Sequence, residues 1–147
     1  MGGVANDTPL TAEDMEDTFR TLGGGDASRG AVVSIGGQGD DFETGDFRRL
    51  PWATSGNANW FVTNSLSHQG AFSARSGDIG DGGSSRLEVT LTTLAGEVRF
   101  ARRVSSEGGY DYLRFFIDGV VQGGWSGIDA GFISQSFPVS AGTHTFA

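Results

Sequence analysis

The chain has 147 residues, among them 25 glycines and no cysteine, and a formal net charge of −8 in which all ten basic residues are arginine. One domain's length can bury a core, but glycine at this density excludes a helical bundle, since each costs roughly 1 kcal/mol inside a helix. The missing cysteines exclude disulfides, zinc–thiolate sites and thiol catalysis together. The acidity is wrong for general binding of nucleic acid, whose affinity comes from neutralised phosphates, and no apolar run approaches the ~20 residues of a membrane span.

Met1-Gly2-Gly3-Val4 leads straight into polar residues, so no secretory signal is read there. The expectation is a cytosolic protein or a piece of a longer exported chain. Residues 1–30 are acidic and carry the one helical pattern. Thr11 is a candidate cap, Glu13 and Asp14 suit a first turn, and Met15, Phe19 and Leu22 follow at helical spacing before Gly23-Gly24-Gly25. Three apolar residues make a thin stripe, so this region is expected to be a linker with a short helix.

From Ala31 the period changes to two. Strands are predicted at 31–35, 50–54, 59–64, 70–76, 85–94, 97–104, 111–118, 131–139 and 143–147, separated by Gly, Ser, Asn or Asp clusters. That spacing predicts an all-β, two-sheet antiparallel β-sandwich over residues 31–147.

The clearest alternation lies between Ser85 and Asp118. Leu87, Val89 and Leu91 share a phase, as do Val98, Phe100 and Val104, then Leu113, Phe115 and Ile117. The six-residue connection 105–110 permits a hairpin. With Val104 opposite Asp111, Phe100 would face Phe115 and Val98 would face Ile117, placing both pairs on the buried face. Arg102 falls on the same inward phase, diagonal to Asp111, and is expected to form an ion pair with its stem on apolar neighbours. The other face of this hairpin would gather Arg99, Arg103, Tyr112, Arg114 and Phe116. Rings stack on sugar faces and guanidinium forks hold carboxylate, sulfate or hydroxyl oxygens, so these five are the candidate ligand site. An ordinary outer sheet face would carry the same residues.

Signatures of catalysis are missing: no G-x-S-x-G elbow and no H-E-x-x-H. The two histidines, His68 in a turn and His144 on a strand, read as structural. Gly36-Gly37-Gln38-Gly39-Asp40-Asp41 opens like a calcium nonapeptide, but Glu43 stands where an apolar residue belongs and no tandem copy follows. A local structural calcium held by Asp41 and Glu43, with Asp40 and Asp46 nearby, is the metal expectation; an acidic loop without metal is the other reading. Residues 77–83 form a second acidic glycine loop.

Further strings carry a resemblance. Asp41-Phe42-Glu43-Thr44-Gly45-Asp46-Phe47, Leu50-Pro51-Trp52 and Asn59-Trp60-Phe61-Val62 are followed by Gly70-Ala71-Phe72-Ser73-Ala74-Arg75. Then come Val104-Ser105-Ser106-Glu107, Phe116-Ile117-Asp118-Gly119 and Trp125-Ser126-Gly127. Over residues 40–147 this resembles the MAM-like, concanavalin-type jelly-roll modules of bacterial secreted and surface proteins. The resemblance implies a jelly roll, an extracellular or cell-surface location within a longer exported chain, and neighbouring domains. Similar modules carry an aromatic where Arg102 stands and continue past Thr145-Phe146 with further strands, so the module here would lack its final strands. The function implied is a non-catalytic recognition or adhesion module that binds carbohydrate or a cell-surface partner. The alternatives are a ligand-free structural spacer and a polysaccharide-degrading enzyme.

Overall fold

The computed structural model describes residues 27–35, 38–68 and 70–147, with side chains from Ile35 onward. The helix expected over residues 11–22, and Gly36-Gly37 of the glycine string, lie outside the described residues. Eleven strands and no helix are found in the described part. They are β1 (Ala27–Ile35), β2 (Gln38–Asp40), β3 (Ala53–Gly56), β4 (Phe61–Thr63), β5 (Ser73–Arg75), β6 (Ser85–Thr93), β7 (Gly96–Ser105), β8 (Leu113–Ile117), β9 (Val120–Trp125), β10 (Ile133–Val139) and β11 (Gly142–Phe146).

All pairings are antiparallel. One sheet runs β10-β7-β1-β5-β4, with β2 attached to β1; the other runs β3-β6-β11-β8-β9. Their inner faces share one core: Ile35, Ala74, Val98, Phe100 and Val139 from the first sheet meet Val89, Leu91, Phe115 and Phe146 from the second. The two-residue period seen in the sequence is what directs these side chains inward. Phe100 and Phe115 pack at 4.9 Å between ring centroids, and Phe137 lies 5.0 Å from Phe115. Burying each ring contributes about 1.5–3 kcal/mol, so this aromatic contact helps hold the two sheets together.

The expected β7–β8 hairpin is not formed. β7 pairs with β1 and β10, whereas β8 pairs with β9 and β11. Residues 106–112 therefore arch from one sheet to the other, braced by amide hydrogen bonds from Tyr110 and Asp111 to the Glu107 carbonyl. Phe100 does face Phe115, but across the core. Val98 has Ile35 and Phe137 beside it in register, and not Ile117. The physical reason is that two strands with apolar inner phases bury them equally well as sheet neighbours or as opposite layers, and alternation alone does not separate the two.

Two strands escaped the sequence reading. β2 has only three residues. β9 contains Gln122-Gly123-Gly124, which resembles a loop. In the structure Gln122 is the extra residue of a bulge against β8, and a Cβ on Gly123 would stand 2.7 Å from the Trp125 ring. Glycine is therefore required there to let the indole lie against the backbone.

Candidate functional site

The arch divides the five residues expected in one patch. Arg99 and Arg103 point outward from β7 on one sheet; Arg114 and Phe116 lie on β8 of the other, with Tyr112 just before that strand. Arg99 forms an ion pair with Glu97 at 3.5 Å, and Arg103 Nε donates to the Asp129 carbonyl at 3.4 Å. The β8 group stays together because alternate residues of one strand share a face whatever pairs with it. The Arg114 guanidinium lies 4.7 Å from the centre of the Tyr112 ring.

β6, across from β8, adds a residue the sequence reading did not select. Arg86 reaches to 5.7 Å from the Phe116 ring centre, with its Nε bonded to Glu88 Oε1 at 2.6 Å. Behind this rim lies a cavity of about 880 Å³, lined in part by Arg86, Arg102, Tyr112, Arg114, Phe116 and Trp125. Its size matches small-molecule and short-oligomer sites.

Arg102 is on the inward phase, as expected, with its stem packed in the core and only 5% of its surface exposed. Its ion-pair partner, however, is Asp129 and not Asp111: Nη1 sits 2.6 Å from Asp129 Oδ2, and the same oxygen accepts the Val104 amide hydrogen at 2.7 Å. The guanidinium lies 4.4 Å from the centre of the Trp125 ring. Burial lowers the Arg102 pKa, and the Asp129 charge and hydrogen bond oppose that shift. The Nε–H is buried without a hydrogen-bond partner.

The acidic loop has its own accounts. Asp40 is fully buried; Oδ1 accepts the Phe42 amide at 2.8 Å and Oδ2 accepts the Trp52 indole at 2.8 Å. Burial raises its pKa against those two bonds. The turn it caps holds Phe42 at φ 59°, in the left-handed region. Asp41 accepts from the Glu43 amide at 3.1 Å and pairs with Arg49 at 2.9 Å. Glu43 receives the amides of Ala71 and Phe72, at 3.1 and 2.9 Å. A Cβ at Gly70 (φ +73°) would meet Glu43 Oε1 at 2.7 Å, so glycine there is what lets the carboxylate approach. Asp46 pairs with Arg48 at 2.9 Å. Among the described residues no group of three or more His, Asp or Glu is gathered in a way that could hold a metal ion.

His144 makes a constellation that superficially has a hydrolase's parts. Nδ1 is 2.6 Å from Asp118 Oδ2, and Nε2 is 3.2 Å from Ser140 Oγ. Yet Nε2 also lies 3.0 Å from the Ser140 carbonyl, which can only accept. The Asp118 carboxylate and the Ser140 carbonyl both call for ring N–H donors, a geometry that suits the imidazolium better than a general base. Consistently, its pKa is raised, chiefly by the Asp118 hydrogen bond, and that of Asp118 is lowered by the reciprocal bond. Asp118 Oδ1 also accepts the Thr145 amide at 2.8 Å. The cluster ties the β8–β9 turn to β11.

Compared with protein-family models, curated proteins and solved structures, the chain matches none of them. The resemblance to MAM-like and concanavalin-type modules therefore stands on the motifs alone.

Proposed function

We propose that this chain is a non-catalytic recognition module of the jelly-roll sandwich type, belonging to an extracellular or cell-surface protein and binding an acidic carbohydrate or a surface partner. The observation that carries this reading is the cavity with three guanidinium groups, Arg86, Arg102 and Arg114, set among the rings of Tyr112, Phe116 and Trp125. On a chain of net charge −8, such a concentration of positive charge and aromatic surface favours an anionic ligand bearing apolar faces.

The test is an array of sulfated and uronate-containing glycans, followed by variants. Arg114→Ala should weaken binding mainly at low ionic strength, since salt screens its contribution beyond a Debye length of about 10 Å at 0.1 M. Tyr112→Ala should weaken it at both low and high salt. Arg99→Ala and Arg103→Ala, on the opposite sheet, should leave it unchanged. A ligand-free spacer is the second reading, favoured by the pairing of Arg86 with Glu88 and of Arg102 with Asp129. Absence of any glycan that responds to Arg114 and Tyr112 would select it.

A further inference from the structure

The dipeptide Asp-Gly occurs twice in the sequence, at Asp81-Gly82 and at Asp118-Gly119, and Asn-Gly does not occur. In Asp-Gly a carboxyl side chain stands next to an unhindered backbone nitrogen. Glycine lacks the Cβ that would shield its amide, so that nitrogen can reach the carboxyl carbon of the residue before it. The structure sets the two copies in turns of opposite character.

Asp118 and Gly119 make the β8–β9 turn. Both are in the left-handed region, at φ 51° and φ 80°, as a two-residue hairpin loop of this kind requires. Ile117 and Val120 pair on either side of it. The Asp118 carboxylate is held at both oxygens: Oδ1 accepts the Thr145 amide at 2.8 Å, and Oδ2 lies 2.6 Å from His144 Nδ1. The His144 bond, then the Thr145 bond, lower its pKa. To meet the Gly119 nitrogen, this carboxylate must leave both partners and take up a proton.

Asp81 and Gly82 are the central residues of a turn closed by the Gly83 amide, which donates to the Gly80 carbonyl at 2.9 Å. Gly82 has φ +72°, and a Cβ at Gly80 or Gly82 would meet no atom within 4 Å. Residues 78–82 are exposed. The base of the loop is pinned, since the Asn57 amide donates to the Ser84 carbonyl at 2.7 Å and the Ser84 amide to Asn57 Oδ1 at 2.8 Å. At the tip, neither the Asp81 carboxylate nor the Gly82 amide has a hydrogen-bond partner among the described residues. Asp78, in the same loop, pairs with Arg75 at 3.4 Å and precedes Ile79, whose β-branched side chain crowds the nitrogen.

We propose that Asp81 is a site of spontaneous isoaspartate formation in the folded protein, and that the fold protects Asp118 in the same dipeptide. The Gly82 nitrogen attacks the protonated Asp81 carboxyl at Cγ. An N–Cγ bond forms, a Cγ–O bond breaks, and the amide proton and the hydroxyl leave together as water. Water then opens the five-membered imide at either carbonyl. Opening at the Asp81 main-chain carbonyl leaves the chain running through Cγ, one carbon longer, with a free α-carboxylate. Nothing is oxidised or reduced, and the final mass is unchanged. The pinned base confines the extra carbon to the tip and leaves β6 in register.

The experiment incubates the 147-residue chain at neutral pH, folded and in urea, and then cleaves it after arginine. The two sites fall in different fragments, 76–86 and 115–147. Each isomer is a species of equal mass with a shifted retention time, and its new α-carboxylate is labelled by an isoaspartyl methyltransferase. In urea the two sites should isomerise at comparable rates. In the folded chain Asp81 should isomerise about tenfold faster than Asp118 or more, because two hydrogen bonds to the Asp118 carboxylate must break first. Asp81→Glu should remove the isomer from 76–86, since a six-membered imide closes far more slowly, and this separates Asp81 from Asp78. His144→Ala, with its far-UV spectrum shown to be that of the parent, should speed isomerisation at Asp118 severalfold. Equal rates at the two sites in the folded chain, or an isomer of 76–86 that persists in Asp81→Glu, would overturn the proposal. So would a folded chain that forms no isomer at Asp81 over the time in which the unfolded chain does.

Discussion

Asp129→Ala should be among the most destabilising single changes at a polar side chain in this protein. The carboxylate removed pairs with Arg102 at 2.6 Å and accepts the Val104 amide at 2.7 Å. Arg102 would keep its charge in a site where 6% of its side chain is exposed, with only the Trp125 ring face opposite. Breaking a buried pair in this way costs about 3–5 kcal/mol. The Asp129 side chain is 17% exposed, so water reaches the vacated position in part, and the low end, about 3 kcal/mol, is expected. At about 3 °C per kcal/mol for a domain of this size, Tm should fall by about 10 °C. Arg102→Met should cost only about 1 kcal/mol, because Asp129 keeps the Val104 amide and some water while an unbranched apolar side chain fills the space.

The double variant Arg102→Met/Asp129→Asn retains an acceptor for Val104 and strands no charge. It should also lie within about 1 kcal/mol of the parent, since a buried ion pair and an apolar replacement often break even. Urea denaturation of the parent, Asp129→Asn, Arg102→Met and the double variant closes the cycle. A coupling energy below about 0.5 kcal/mol, the ordinary error of additivity, would refute the argument. So would Asp129→Ala with an unchanged Tm.

Phe100→Ala should cost about 3–5 kcal/mol by urea denaturation, since the ring joins both sheets at Phe115 and Phe137; a smaller loss than at exposed Leu94 would contradict the packing. The His144–Asp118 tie should shape stability against pH. The histidine's contribution is full below its ordinary pKa of 6.5 and is lost as pH rises through its raised folded value; the aspartate's is present above 3.8 and is lost as pH falls through its lowered one. His144→Gln should therefore lose most, relative to the parent, between these pH values, and a difference independent of pH would exclude the tie. Calcium, if Asp41 and Glu43 take it, must displace Arg49 and the amides of Ala71 and Phe72. Melting should then rise only at about millimolar calcium, and Arg49→Ala should lower the concentration needed. Absence of heat on calcium titration, with unchanged melting in chelator, removes the metal.

Alternation carried the inner phase of β6, β7 and β8 correctly: Val89, Leu91, Val98, Phe100, Val104 and Phe115 are all buried. It even placed Arg102 inside against its chemistry. Strand existence was readable where apolar and polar residues alternate between turn-forming clusters, as in β6 and β7. It was not readable where glycines interrupt them, as in β9, whose bulge and packing under Trp125 require the residues that mimic a loop. The acidic glycine string was read for its carboxylates. What it builds is a turn in which Asp40 receives the Phe42 amide and the Trp52 indole, and nothing in a local motif announces an indole twelve residues away.

The candidate site divides along the same line. Residues grouped within one strand keep their common face under any topology, so Arg114 and Phe116 remain together, and Tyr112 just before the strand stays against Arg114. Residues pooled from two strands share a face only if those strands pair, and the pairing of β7 with β8 rested on a short connection and a compatible register. Both conditions are also met by an arch, because 106–112 is long enough to cross the roughly 10 Å between packed sheets. The same residues that made the hairpin attractive, Phe100 and Phe115, then meet from opposite layers. Once β8 is placed beside β11 and opposite β6, Arg86 takes the role expected of Arg99 and Arg103. Its position two residues before Glu88 is visible in the sequence, but its reach to Phe116 follows only from the order β6-β11-β8. Pairing order, a non-local property, is thus what decides which arginines meet the aromatic residues of β8.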